Sequence, residues 1–153
     1  MNPEEIQDIL SKMGALQKDE NEKIIGIDMN TLMGDPIVSN RLGVELIQRL
    51  PPNYKFEAIV TPAGDGTYFG YATAMAAWAR FVIADYNGSW LLHHDQEIRN
   101  KEKVIVLYDK TWDDDLDALL EYVESLGGKI AGVLLPFLTE AEPIKSYPVC
   151  GLW

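Results

Sequence analysis

Two stretches of the chain concentrate residues able to do chemistry. The first, Tyr108 to Asp115, reads YDKTWDDD and brings Asp109, Asp113, Asp114 and Asp115 together beside Lys110, Thr111 and Trp112. Carboxylates clustered on a loop favour a hard cation, Mg²⁺ or Ca²⁺, and Asp109 with Asp113 or Asp114 is the ligand set this spacing offers. The same residues also have a purely structural use. Asp113 suits a helix N-cap, and Asp114, Asp115 and Asp117 suit the first turn, where carboxylates meet the positive end of the helix dipole. The second stretch is Ala63, Gly64, Asp65 and Gly66 within PAGDG. Glycines in a strand-to-helix turn let backbone N–H groups approach an anion at a helix N-terminus, although a tight turn without a ligand uses glycine as readily. His93 and His94 are adjacent and would point to opposite faces of a strand, so they do not form a ligand pair. No residue stands out as a catalytic acid, base or nucleophile.

The elements around these stretches predict a parallel sheet. Lys103 to Pro136 has an apolar run (Val104, Ile105, Val106, Leu107), the acidic turn, an amphipathic helix with Leu116, Leu119, Leu120 and Val123 inward, a Gly127-Gly128 stop and a second apolar run. That is the pattern of a βαβ unit. Phe56 to Thr61 predicts a strand leading through PAGDG into a helix over 67–79. Its small residues (Gly70, Ala72, Ala74, Ala76, Ala77) allow close packing, and its aromatic residues (Tyr68, Phe69, Tyr71, Trp78) form either core or a subunit contact. Arg80 to Asp85 predicts a further strand, and Asn87-Gly88 turns it into Ser89 to His93. Upstream, Asn2-Pro3 and Asp35-Pro36 open helices that end near Gly14 and Pro51-Pro52. Between them lie a polar, turn-like segment over 16–22 and a short strand over 23–29. The Pro-broken tail ends in Leu152-Trp153, too apolar to prefer water. Ligands sit at the carboxyl ends of strands in such sheets, so both chemical stretches fall where a site is expected.

This order of elements, with the MGDP turn, PAGDG and the VIVLYDKT strand end, resembles the type I phosphoribosyltransferases, closest to the orotate branch, over residues 3 to 138. The resemblance implies an α/β fold with a central parallel sheet flanked by helices, over a single domain of residues 1–153. It also implies a homodimer and a small-molecule site. Ala63, Gly64, Asp65 and Gly66 take the place of the family's pyrophosphate loop, and Asp109, Lys110, Thr111, Trp112, Asp113, Asp114 and Asp115 that of its strand end and phosphate loop. Tyr108 stands for the first acid of the family's acidic pair, and Trp112 to Asp115 stand for its Thr and Gly residues. The expectation is a member that has lost ordinary transfer from phosphoribosyl pyrophosphate and serves as a ligand-binding or regulatory protein. The alternative is an active phosphoribosyltransferase using phosphoribosyl pyrophosphate and a nucleobase through unusual phosphate contacts.

The totals narrow the partners. The chain has 153 residues, 24 acidic against 13 basic, and a formal charge of -11. Nucleic acid and anionic membranes are held by Lys and Arg, so both are disfavoured. No apolar run approaches a membrane span, and the acidic start MNPEEIQDIL does not read as a signal peptide, so the expected location is the cytoplasm. The one cysteine, Cys150, has no internal disulfide partner.

Overall fold

Local capping sets the first helices. In the computed structural model, which describes residues 1–52, 54–138 and 147–153, helix α1 (Pro3–Lys12) begins at Asn2. The Asn2 side chain accepts the Glu5 backbone N–H at 2.8 Å while the Glu5 carboxylate accepts that of Asn2 at 2.9 Å. Two otherwise orphaned donors are thereby satisfied. A hairpin of β1 (Leu16–Lys18) and β2 (Ile24–Ile27) follows, then α2 (Met29–Met33) and α3 (Pro36–Gln48), the last capped by Asp35 on the Val38 N–H at 3.0 Å.

The remaining elements are β3 (Ala58–Pro62), α4 (Thr67–Ala77), β4 (Arg80–Tyr86), β5 (Trp90–Leu92), β6 (Lys103–Leu107), α5 (Asp114–Ser125), β7 (Lys129–Leu134) and β8 (Val149–Cys150). Six of the strands form one sheet in the order β5-β4-β3-β6-β7-β8, parallel throughout except for the antiparallel β4–β5 edge. Alternate residues feed two cores. Ile59, Ile105, Leu107 and Leu134 face Ile6, Leu10, Leu32, Leu42, Leu46 and Phe69 on one side. Ala58, Val60, Val82, Val104, Val106 and Val133 face Leu116, Leu119, Leu120 and Val123 of α5 on the other. This is the central sheet flanked by helices that the sequence pattern predicts, with helices covering both faces.

Three local expectations are corrected. The segment over 16–22 is not all turn, because Leu16 pairs with Ile27 and Gln17 with Gly26. The turn itself is confined to Asp19–Lys23, where the Asp19 carboxylate accepts the N–H groups of Asn21 and Lys23 at 2.8 and 2.9 Å. The strand expected over 23–29 stops at Ile27, since Asp28 caps α2 through the N–H groups of Asn30 and Thr31. Those hydrogen bonds, chiefly from Thr31, hold the Asp28 carboxyl below its usual value. The helix expected over 67–79 stops at Ala77, where Trp78 turns left-handed as its C-cap; of the aromatic residues here Phe69 is buried, whereas Tyr68, Tyr71 and Trp78 are exposed.

Near the C-terminus Leu152 is fully buried and the Trp153 ring meets Phe137 edge-on at 5.8 Å, so the apolar end folds back onto the body. The expected Pro-broken stretch at 139–146 lies outside the described residues. Cys150 is half-buried, donates to the Arg49 carbonyl at 3.3 Å, and has its thiol pKa raised by burial, which keeps it protonated and unreactive.

Helix α4 lies so close to β3 that a Cβ on Gly70 would stand 2.3 Å from Thr61 Oγ1 and 2.9 Å from Thr61 Cβ. Gly70→Ala should therefore push α4 off the sheet and destabilise by about 1 to 3 kcal/mol, as overpacked cores do. Urea unfolding followed by circular dichroism measures this; an unchanged midpoint would mean that the helix yields freely at this contact.

Candidate functional site

The parallel pairing of β3 with β6, with Ala58 opposite Val104 and Val60 opposite Val106, makes the two strands end side by side. Their outgoing turns, PAGDG before α4 and Tyr108 to Asp113 before α5, therefore border one cavity of about 330 Å³ at the carboxyl edge of the sheet. Its polar lining comes from Asp65, Asp109, Lys110 and Asp115, and its flat walls from Tyr86, Trp90 and Tyr108.

The PAGDG turn closes on itself. Gly64 N–H donates to Thr67 Oγ1 at 2.8 Å, Thr67 Oγ1 donates to the Pro62 carbonyl at 3.0 Å, and Thr67 N–H donates to the Gly64 carbonyl at 3.1 Å. Gly66, at the N-cap of α4, has the Asp109 side chain directly against it. A Cβ there would fall 2.5 Å from Asp109 Cβ and 2.8 Å from its Oδ2. Burial raises the Asp109 carboxyl above its ordinary value, the nearby Asp65 charge adds to this, and backbone hydrogen bonds from Asp109 itself and Gly66, with the Lys110 charge, oppose it. A carboxylate of this protein thus meets the positive end of α4.

The acidic turn does the same for α5. The Asp113 carboxylate accepts the Leu116 N–H at 2.9 Å and the Tyr108 hydroxyl at 2.8 and 3.0 Å. Tyr108 is buried, and its hydroxyl is held well above its usual pKa by that burial first and by the Asp113 carboxylate next. It therefore stays a donor. Trp112 Nε1–H donates to Asp117 at 2.9 Å, and Trp90 Nε1–H to the Asp115 carbonyl at 2.8 Å. Tyr86 and Trp90, paired across the β4–β5 ladder, stack at a tilt with ring centres 4.9 Å apart.

No protein-family model matches the chain. An orotate phosphoribosyltransferase of Desulforamulus reducens is 29% identical over 141 residues, covering 87% of this chain and 73% of the relative. Another, of Campylobacter concisus, is 31% identical over 105 residues, covering 66% of this chain and 52% of the relative, so the chain spans about half of that protein. Among solved structures, the adenine phosphoribosyltransferase of Thermoanaerobacter pseudethanolicus superimposes with a TM-score of 0.71 at 19% identity, over 99% of this chain and 98% of that one. The orotate phosphoribosyltransferase of Aeropyrum pernix gives 0.71 at 16% identity, over 96% and 92%.

In sequence the chain is similar to orotate phosphoribosyltransferases, and its fold is that of the phosphoribosyltransferases. Of the site residues expected from the sequence, Ala63, Gly64, Asp65, Asp109, Lys110 and Asp115 line one cavity. Gly66 backs Asp109, while Thr111, Trp112, Asp113 and Asp114 do not line the cavity. The cation set of Asp109, Asp113 and Asp114 is not brought together: Asp109 turns to Gly66 and Asp113 to Tyr108 and Leu116. Among the described residues no group of three or more His, Cys, Asp or Glu is arranged to hold a metal ion. His93 and His94 bond separate carboxylates, Asp85 and Asp95.

Lys103 opens β6 at the far edge of the sheet and does not line this cavity. The aromatic wall was missed in the sequence. Its only signal was the symmetric placing of Tyr86 and Trp90 about the Asn87-Gly88 turn.

A carboxyl raised on folding binds more protons in the native state than in the unfolded one between its ordinary and its raised pKa, so stability falls as pH rises through that window. Asp109→Asn should remove this contribution. The melting temperature of the variant should match the parent near pH 4, where an ordinary Asp is about half protonated, and exceed it increasingly toward neutrality. A difference that is constant with pH, or that favours the parent at neutrality, would mean that the carboxylate is stabilising where it stands.

Proposed function

We propose that this chain is a divergent phosphoribosyltransferase-family protein that has lost ordinary transfer from phosphoribosyl pyrophosphate and acts by binding a small ligand. The observation that carries this reading is the same at both turns: the helix N-terminus that would receive a phosphate faces a carboxylate of the chain, Asp109 at α4 and Asp113 at α5. Each carboxylate within about 4 Å of a phosphate opposes binding by roughly 1 to 4 kcal/mol. The cavity offers three carboxylates against one ammonium, between aromatic walls. That chemistry suits a neutral or cationic molecule with hydroxyls or amines and a flat ring.

The names of the relatives favour a second reading, a working transferase acting on orotate. Calorimetric titration with phosphoribosyl pyrophosphate and Mg²⁺, followed by an orotate transfer assay, separates the two. The first reading expects no saturable micromolar binding and no transfer; either one observed establishes the second.

If charge is the obstacle, its removal should restore phosphate binding. The triple change Asp113→Thr, Asp114→Gly and Asp115→Thr removes three negative charges and supplies hydroxyl donors. It should lower stability by about 1 to 2 kcal/mol through loss of the α5 cap. Ribose 5-phosphate should then bind measurably better than to the parent, with the gain shrinking as salt rises. A folded triple variant that binds no better would mean that the shape of the turn, rather than its charge, excludes phosphate.

The exposed apolar face of α3 and α4 fits a second copy of the chain. Ile37, Tyr68, Tyr71, Met75 and Trp78 are 80%, 62%, 56%, 57% and 97% exposed, and they run beside a groove of about 480 Å³. Contiguous exposure of this kind marks an interaction surface, and a twofold pair is the commonest assembly. Sedimentation at micromolar concentration should give a dimer that Tyr71→Glu with Trp78→Glu converts to the 17.2 kDa monomer. A parent that is already monomeric excludes this pairing.

A further inference from the structure

At the opposite edge of the sheet, where β6 and β7 begin, an open cavity of about 340 Å³ is bordered by Lys55, Lys103 and Lys129, with Tyr54, Ile130 and Ala131 completing its lining. We infer that this cavity is a second ligand site, for a small polyanion of the polyphosphate class. Lys103 and Lys129 are direct partners in the parallel β6–β7 ladder, so their side chains leave the sheet on one face. Like charges directly opposite each other destabilise a sheet unless something lies between them.

Nothing in the described structure does. Among the described residues none of the three ammonium groups is within ion-pair distance of a carboxylate. The Glu57 carboxylate takes the backbone N–H of Lys103, at 3.5 Å, and not its ammonium. In a chain with 24 acidic and 13 basic residues, a concave surface lined by three lysines and no acid runs against the overall charge. Ala131 is the extra residue of a bulge in β7, placed beside the cavity, as bulges often are beside sites.

The lining also indicates what else the ligand carries. Tyr54 is 38% exposed and Ile130 half-buried, which sets flat and apolar surface beside the ammonium groups. A phosphorylated compound with a planar body fills both parts, and the volume is that of a small-molecule site. The five residues of β6 separate this cavity from the one at the carboxyl edge by roughly 15 Å, so one small ligand does not reach both. The inference is independent of what the carboxyl-edge site binds.

The test is calorimetric titration of the full chain at low salt with inorganic pyrophosphate and, separately, with adenosine triphosphate, with amide chemical shifts mapped for both. Saturable binding is expected, with shifts concentrated at Tyr54, Lys103, Lys129 and Ile130. Adenosine triphosphate binding more tightly than pyrophosphate assigns Tyr54 to the planar body, and equal affinities assign the site to bare polyphosphate. The double variant Lys103→Gln with Lys129→Gln, its fold verified by circular dichroism, should weaken binding at least about tenfold, the loss expected when charge-assisted hydrogen bonds to phosphate are removed. The inference is overturned by no saturable binding of either compound at up to about 10 mM, beyond the range of a specific site. Binding that the double variant retains, or shifts centred on Gly64 and Asp109, overturn it equally.

Discussion

The Asp109 carboxylate lies against the backbone of Gly66, and the arrangement of the carboxyl edge depends on that contact. It is possible only because β3 and β6 are neighbours, because they end at the same level, and because residue 66 has no side chain. Any Cβ at that position would drive the two turns apart and open the cavity between them. The contact also fixes the electrostatics. The dipole of α4 points its positive end at a charge belonging to the chain, and burial makes that charge costly enough to raise its pKa. A helix end that would attract an external anion is thereby already compensated.

The second turn reaches the same result by other means. Where Asp109 is placed by strand adjacency, Asp113 is placed by sequence-local capping and by the buried Tyr108 hydroxyl five residues earlier. Tyr108 belongs to the α5-side core, so its ring is positioned by the same valines and leucines that dock the helix. Packing of that core and the position of the Asp113 carboxylate are therefore one problem, and a change at either end is felt at the other.

What the sequence disclosed follows the range of each interaction. The caps at Asn2, Asp35 and Asp113 depend on residues three positions away, and the βαβ unit on an apolar period within about thirty residues; both were legible. The family resemblance was legible for the same reason, since the order of elements survives where individual contacts do not. The β1 strand was not, because Leu16 and Gln17 are held by Ile27 and Gly26 rather than by any pattern of their own. Nor was α2, a single capped turn too short to show a period. The carboxylates around Asp109 could be named as a cluster, but their divergence could not. Whether Asp109 turns toward Asp113 or toward Gly66 is decided by which strand lies beside β6. The aromatic wall is a tertiary product too: Trp90 reaches the Asp115 carbonyl across the mouth of the sheet.

The cavities at the two edges of the sheet are lined by opposite charge, and helix dipoles account for only part of this. Each crossover helix runs antiparallel to its strands, so the positive helix ends meet the carboxyl edge and the negative ends the other. Acids at the first and lysines at the second are the compensating choice. A β-sheet contributes little dipole of its own, so the side chains and helices set the field. The edges differ in how the compensation is made. At the carboxyl edge Asp113 hydrogen-bonds the helix it compensates, and Asp109 takes backbone hydrogen bonds and packs against the glycine that caps the other helix. At the opposite edge Lys103 and Lys129 stand on strands, in register with each other, and α5 has no basic residue in its last turn. At the carboxyl edge each of these charges touches the helix end it compensates; at the other, three lysines stand side by side around a cavity, the arrangement that a polyanion entering it requires.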